Sequence, residues 1–180
     1  MSFVDKAIDA LTPKESEQDR LEATTQVRAA ATPGDWLSMA LDHHDEIRRC
    51  FDRAVAATGS GERLEAMEQL AEVLNGHSLA EEIVLYPALA DEGEKSDAMM
   101  GYTEQAAAKM EMAELERIDP SSDDWGDQIR KIREAVLHHM YHEEKDWFPE
   151  LKEKGLDQAH LTKRYEEEFT RYAGAGRSAI

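Results

Sequence analysis

The sequence predicts an all-α protein: an up-down-up-down four-helix bundle with additional helices at its N- and C-terminal ends. Three observations carry this expectation. Charged residues make up 33% of the 180 residues and aromatics 7%, with ten Gly and five Pro, none of the prolines inside the strongest periodic stretches. That composition favours helix over sheet. Four long stretches place apolar residues at spacings of three and four and are joined by short polar turns, the pattern of an antiparallel bundle. Finally, one segment occurs twice. His77, Glu81, Glu82, Tyr86, Pro87 and Leu89 recur as His139, Glu143, Glu144, Phe148, Pro149 and Leu151, each offset by 62 residues.

Taken in order, residues 1–12 are expected to form a short amphipathic helix (Phe3, Val4, Ala7, Ile8, Leu11) ended by Thr12 and Pro13. Residues 15–31 are charged and Ala-rich, and read as a partly exposed helical lead-in rather than a bundle member. Thr32-Pro33-Gly34-Asp35 is a turn whose Asp35 suits an N-cap. The first long helix spans about 36–58 and stops at Gly59-Ser60-Gly61. Leu37, Leu41, His44, Phe51 and Val55 share one stripe, and Trp36, Ala40, His43, Ile47, Cys50 and Ala54 the next, so either His43 or His44 can face inward. The second helix, about 62–90, ends near Gly93; the third, about 96–118, has Tyr102, Gln105, Met112 and Leu115 on its inner face. The fourth runs over about 123–153, and a last helix over 157–173 offers Leu161, Tyr165, Phe169 and Tyr172 for docking before a loose tail. The domain expectation is therefore a lead-in at 1–35, a bundle at 36–153, and a C-terminal helix and tail at 154–180.

A formal net charge of −18 argues against nucleic acid and anionic membranes as partners. Cys50 is the single cysteine, no signal peptide is apparent, and no run of apolar residues is long enough for a membrane span. A cytoplasmic setting is expected.

The repeated segment carries the chemistry. On a helix, positions i and i+4 lie one turn apart on the same face. Met67, Leu70, Leu74, His77, Glu81, Val84 and Ala88 form one stripe in the first copy; Ile129, Ile132, Val136, His139, Glu143 and Trp147 form one in the second. His and Glu thus continue the core-facing stripe of their own helices. Two carboxylates in a core are costly unless a cation neutralises them. Buried His–Glu hydrogen bonds without metal would suit a single copy better than two. Imidazole plus carboxylate suits iron, zinc, manganese or copper, and no Cys lies near to form a thiolate zinc site. Helices 1–2 and 3–4 read as two copies of one hairpin. Counting 34 residues back from His139, close to the 33 that separate His44 from His77, lands on Gln105. The third helix has no histidine.

With these motifs the chain resembles the hemerythrin-like, or HHE cation-binding, family over about residues 36–153. The resemblance rests on His44, followed by Ile47 and Phe51, and on both His-x-x-x-Glu-Glu segments with their aromatic-Pro-x-Leu ends. It implies a four-helix bundle around two iron ions with a bridging oxo or hydroxo group; manganese or zinc would also suit the donors. By the resemblance His44, His77 and His139 are terminal ligands, and Glu81 and Glu143 bridge. Where family members carry a Glu-His pair in the third helix, this chain has Glu104-Gln105, so Glu104, Gln105, Tyr102, His43, His142 or water would complete the site. Glu82 and Glu144 are expected to support ligands or to face solvent. His138 and His160 are expected at the surface, and His142 either beside the ligands or in solvent. The implied function is to bind or reduce O2, peroxide or NO. A sensor without turnover and a metal-free interaction bundle are the competing readings, and no protein partner is indicated.

Overall fold

The computed structural model describes residues 15–173, and both the helix expected at 1–12 and the tail after residue 173 lie outside them. Among the described residues there is no strand. Helix α1 (Glu17–Arg28) starts with a capping box in which Ser16 and Asp19 satisfy each other's backbone N–H groups. Helix α2 (Trp36–Ala56) begins at Asp35, whose side chain accepts from the Ser38 N–H at 2.7 Å, the N-cap role the sequence suggests.

The second and fourth bundle helices are not continuous. Helix α3 (Ser60–Ala80) passes into a π-helical turn at Glu81–Leu85 and then into α4 (Tyr86–Asp91). Helix α5 (Lys95–Leu115) follows. Helix α6 (Asp123–His142) likewise meets a π-helical turn at Glu143–Trp147 and continues as α7 (Phe148–Glu153). In each copy the N–H after the wide turn, of Tyr86 or Phe148, donates to the carbonyl of the glutamate that opens it, Glu81 or Glu143. The cause lies just downstream. Pro87 and Pro149 have no N–H to give and would press on the carbonyl four residues back in a regular helix. A turn holding one extra residue relieves that clash, and such turns recur at functional sites. The register shifts accordingly: Ala88, expected on the inner stripe, is half-buried, whereas Leu85, Tyr86 and Leu89 are buried. Gly93, at φ 106°, ends this segment in the left-handed region, where a side chain would be strained.

Helices α2, α3–α4, α5 and α6–α7 form the up-down-up-down bundle. The last helix, α8 (Gln158–Ala173), packs along α3 and α2 as a fifth member. Trp36 ties it down: its indole N–H donates to Gln158 Oε1 at 2.7 Å and its backbone N–H to Thr162 Oγ1 at 3.1 Å. The lead-in helix α1 also packs against the bundle, over the π-helical turn at Glu143–Trp147. Apolar side chains gather in two clusters. One holds Trp36, Leu41, Leu89, Trp147, Phe148 and Tyr165, and the other Ile47, Phe51, Leu70, Leu115, Ile129 and Ile132. Between them lie buried His44, His77, Glu81, Gln105, His139 and Glu143.

One contact in this packing is unusually close. A Cβ on Gly101 of α5 would stand 2.8 Å from Cζ of the buried Tyr86 ring, too near for either atom. Gly101→Ala is therefore expected to lower stability by about 1–2 kcal/mol, because overpacking by about 1–3 kcal/mol outweighs the helix-propensity gain of about 1. Thermal unfolding measures it; a variant as stable as the parent would mean that Tyr86 is free to move.

Candidate metal centre

Each π-helical turn begins at a glutamate, and each glutamate is aimed into the middle of the bundle. His44 Nε2 stands 3.2 Å from Glu143 Oε2, and His77 Nε2 stands 3.2 Å from Glu81 Oε1. Neither pair has the alignment of a hydrogen bond. These four atoms are buried without hydrogen-bond partners, although nearly every buried polar atom normally has one. Their residues can each offer a ligand atom within 4.8 Å of the others. Four unpaired donors facing a common point fit a cation and little else.

The opposite ring nitrogens are all anchored. His44 Nδ1 lies 2.7 Å from Glu144 Oε1, which also accepts from Arg48 at 2.6 Å, and the other Glu144 oxygen accepts from Thr24 of α1. His77 Nδ1 lies 3.0 Å from the Tyr165 hydroxyl on α8. His139 Nδ1 lies 2.8 Å from Glu104 Oε2. These contacts at Nδ1 keep each Nε2 turned toward the middle of the bundle, the support that metal-ligating histidines commonly have.

The second half of the centre is closed by hydrogen bonds. The Tyr86 hydroxyl donates to Glu143 Oε1 at 2.9 Å and accepts from Gln105 Nε2 at 2.7 Å; Gln105 Nε2 also reaches Glu81 Oε2 at 2.7 Å. His139 Nε2 lies 3.0 Å from the Tyr86 oxygen and 3.3 Å from Glu143 Oε1. The two carboxylates thus show one oxygen to the bare position and one to this network.

Electrostatics follow from the burial. Burial and the charge of Glu143 push the Glu81 carboxyl well above its ordinary range, which favours its protonated form. Burial opposes ionisation of Glu143 too, but the neighbouring His139 and His44 outweigh it and hold the pKa well down. Burial also disfavours charge on the imidazoles. It prevails at His77, which is lowered well below its usual value, whereas the carboxylates beside His44 and His139 raise theirs.

Among the sequence candidates, His44, His77, Glu81, His139 and Glu143 converge here, together with Gln105. His43 does not: it is half-buried outside the centre, stacked on Phe169, with Nδ1 3.1 Å from the Tyr165 hydroxyl and its pKa lowered to about 4 by burial and by His44. Glu104 lies behind His139 rather than in the centre, and His142 Nδ1 is 3.4 Å from its second oxygen. Tyr102 is an exposed side chain whose hydroxyl donates to the Glu82 carbonyl. His138 corrects the surface expectation, being buried with Nδ1 2.8 Å from Glu15 Oε2, because the chain ahead of α1 covers it; His160 is exposed. Tyr86 and Tyr165 were not singled out as site residues. The signal for Tyr86 was that the motif aromatic is a phenol in the first copy and Phe148 in the second. For Tyr165 it was a hydroxyl on the docking stripe of the last helix.

A helical bundle whose core turns histidines and glutamates onto one point is a metal-binding bundle of the carboxylate–histidine class. Within that class the chain belongs to the hemerythrin family: the hemerythrin HHE cation-binding domain model matches residues 37–151. The chain is also similar to a protein named DNA nickase from Nostoc sp. (strain PCC 7120 / SAG 25.82 / UTEX 2576), at 26% identity over 109 residues. That stretch covers 61% of this chain and 31% of the relative. No solved structure matches.

The two flanking glutamates should behave differently. Glu144 is buried and anchors His44, whereas Glu82 is half-buried and pairs with exposed Lys109. Glu144→Ala is expected to weaken metal binding by about 10–100-fold in chelator competition, and Glu82→Ala by a far smaller factor. Equal effects would show that Glu144 does not orient His44. Metal uptake should also release protons, because Glu81 must ionise to bind. Binding heats measured in buffers of different ionisation enthalpy should therefore differ, and identical heats would contradict a protonated Glu81.

Proposed function

We propose that this chain is a non-heme di-iron protein that binds or reduces a small oxygen or nitrogen species: O2, peroxide or NO. The observation that carries the proposal is the set of four buried, unpartnered donor atoms on His44, His77, Glu81 and Glu143. In this reading those residues would hold the first ion. His139, with Glu81 and Glu143, would hold the second, and Tyr86 and Gln105 would stand beside it. Bound iron supplies redox change and a coordination position open to a small ligand.

The chain's own residues set the conditions around that position. Tyr86 and Gln105 line the second half of the centre, so a small ligand there meets polar groups rather than bare hydrocarbon. A cavity of about 170 Å³ lies between α3 and α5, which barely touch among the described residues. Its walls are Ile47, Leu74, Ala108, Met112 and Val136, and His77, Gln105 and His139 also line it. That mostly apolar lining suits passage of an uncharged diatomic better than of an ionic substrate. The name of the Nostoc relative has little bearing here, since the match covers 31% of that protein and an excess of 18 negative charges repels a phosphate backbone.

Protein from iron-replete cells is expected to contain close to two iron ions per chain and to gain near-ultraviolet absorption on exposure to air. One zinc ion and a colourless spectrum in every growth condition would overturn the proposal. Steady-state peroxide consumption then separates turnover from binding alone.

A further inference from the structure

Outside the centre lies a second group of metal-type side chains, of which Glu104 alone serves the site described above, by holding His139 Nδ1. His138 and His142 lie one turn apart on α6, their ring centroids 4.4 Å apart, and Glu104 faces them from α5. Each can offer a ligand atom within 4.8 Å of the other two. We propose that Glu104, His138 and His142 form an outer site for one divalent cation of the iron(II) or zinc kind.

Three features favour an ion over a plain ion pair. His142 Nδ1 is buried and without a hydrogen-bond partner; it stands 3.4 Å from Glu104 Oε1 without the alignment to bond it. His138 repeats the arrangement of the inner histidines, since Glu15 Oε2 holds its Nδ1 at 2.8 Å and leaves Nε2 to present. Glu15 is itself fixed by Arg20 at 2.8 Å. Glu104 spends one oxygen on His139 and has the other facing His142. Two imidazoles and one carboxylate with open positions make a donor set that zinc and iron(II) both accept. The ion would reach the site directly, because His142 is partly open to solvent. Glu104 then connects the two sites: one oxygen binds the outer ion while the other orients an inner imidazole.

The test uses the purified full chain with its inner metal counted beforehand, titrated with zinc chloride in a calorimeter. The parent is expected to show one binding event beyond the metal it already carries. His142→Ala and His138→Gln should each weaken that event by at least about tenfold, the scale on which even an indirect support of a metal ligand registers. Their helical circular dichroism should match the parent's, and their inner metal content should be unchanged. A parent that binds no extra zinc, or variants that bind it as the parent does, would overturn the proposal. Glu81→Gln separates the two sites, because it should deplete the inner metal and keep the outer event. Failure of the di-iron reading would appear as absent inner iron with the difference between parent and His142→Ala intact.

Discussion

Two glutamates, Glu81 and Glu143, face each other in the dry middle of a helical bundle, and most of the structure can be read as a response to that. An ionised carboxylate removed from water costs several kcal/mol even after relaxation. Two side by side add mutual repulsion, which is why one is driven to hold a proton when no cation is near. The inward imidazoles, the carboxylates and phenol behind them, and the apolar clusters above and below all serve the same end. They keep water out and leave a positive ion as the most favourable occupant. Iron would meet that requirement, and so would other divalent metals of similar size.

Much of this arrangement was legible in the sequence. The 62-residue offset makes the helical hairpin, and hence the bundle, visible in the chain itself. It also marked His77, Glu81, His139 and Glu143 as inward-facing. What periodicity could not show was anything that depends on breaking the period. A regular helix has 3.6 residues per turn; the wide turns before Pro87 and Pro149 add one, so Tyr86 and Leu89 turn inward where Ala88 was expected. Nor could the pattern choose between His43 and His44, which border neighbouring stripes. That choice falls to tertiary contacts: Glu144 and the ring of Phe148 enclose His44, while Phe169 takes His43. His138 was misplaced for a similar reason, since its cover comes from a segment read as mere lead-in.

The repeat is also informative where it fails. Tyr86 and Phe148 occupy equivalent places, yet the first puts a hydroxyl among the carboxylates and the second stacks its ring on His44 at 5.7 Å. Gln105 holds the place that mirrors His44 and offers an amide instead of an imidazole. Both departures fall in the same half of the centre. One half is therefore all bare donors and the other a connected set of hydrogen-bonding groups. In the di-iron reading, two positions built so differently would not hold ions equally well.

The hydroxyl of Tyr165 has a consequence of its own. It lies on the final helix, outside the four-helix core, yet it fixes the orientation of His77 at 3.0 Å. The seating of that helix and the affinity of the ion are then linked quantities, and linkage runs both ways. If His77 holds an ion, whatever draws α8 from its groove would loosen that hold, and the bound ion would deepen the free-energy well in which α8 rests. Helix α8 would then act as a latch whose seating registers whether the centre is filled.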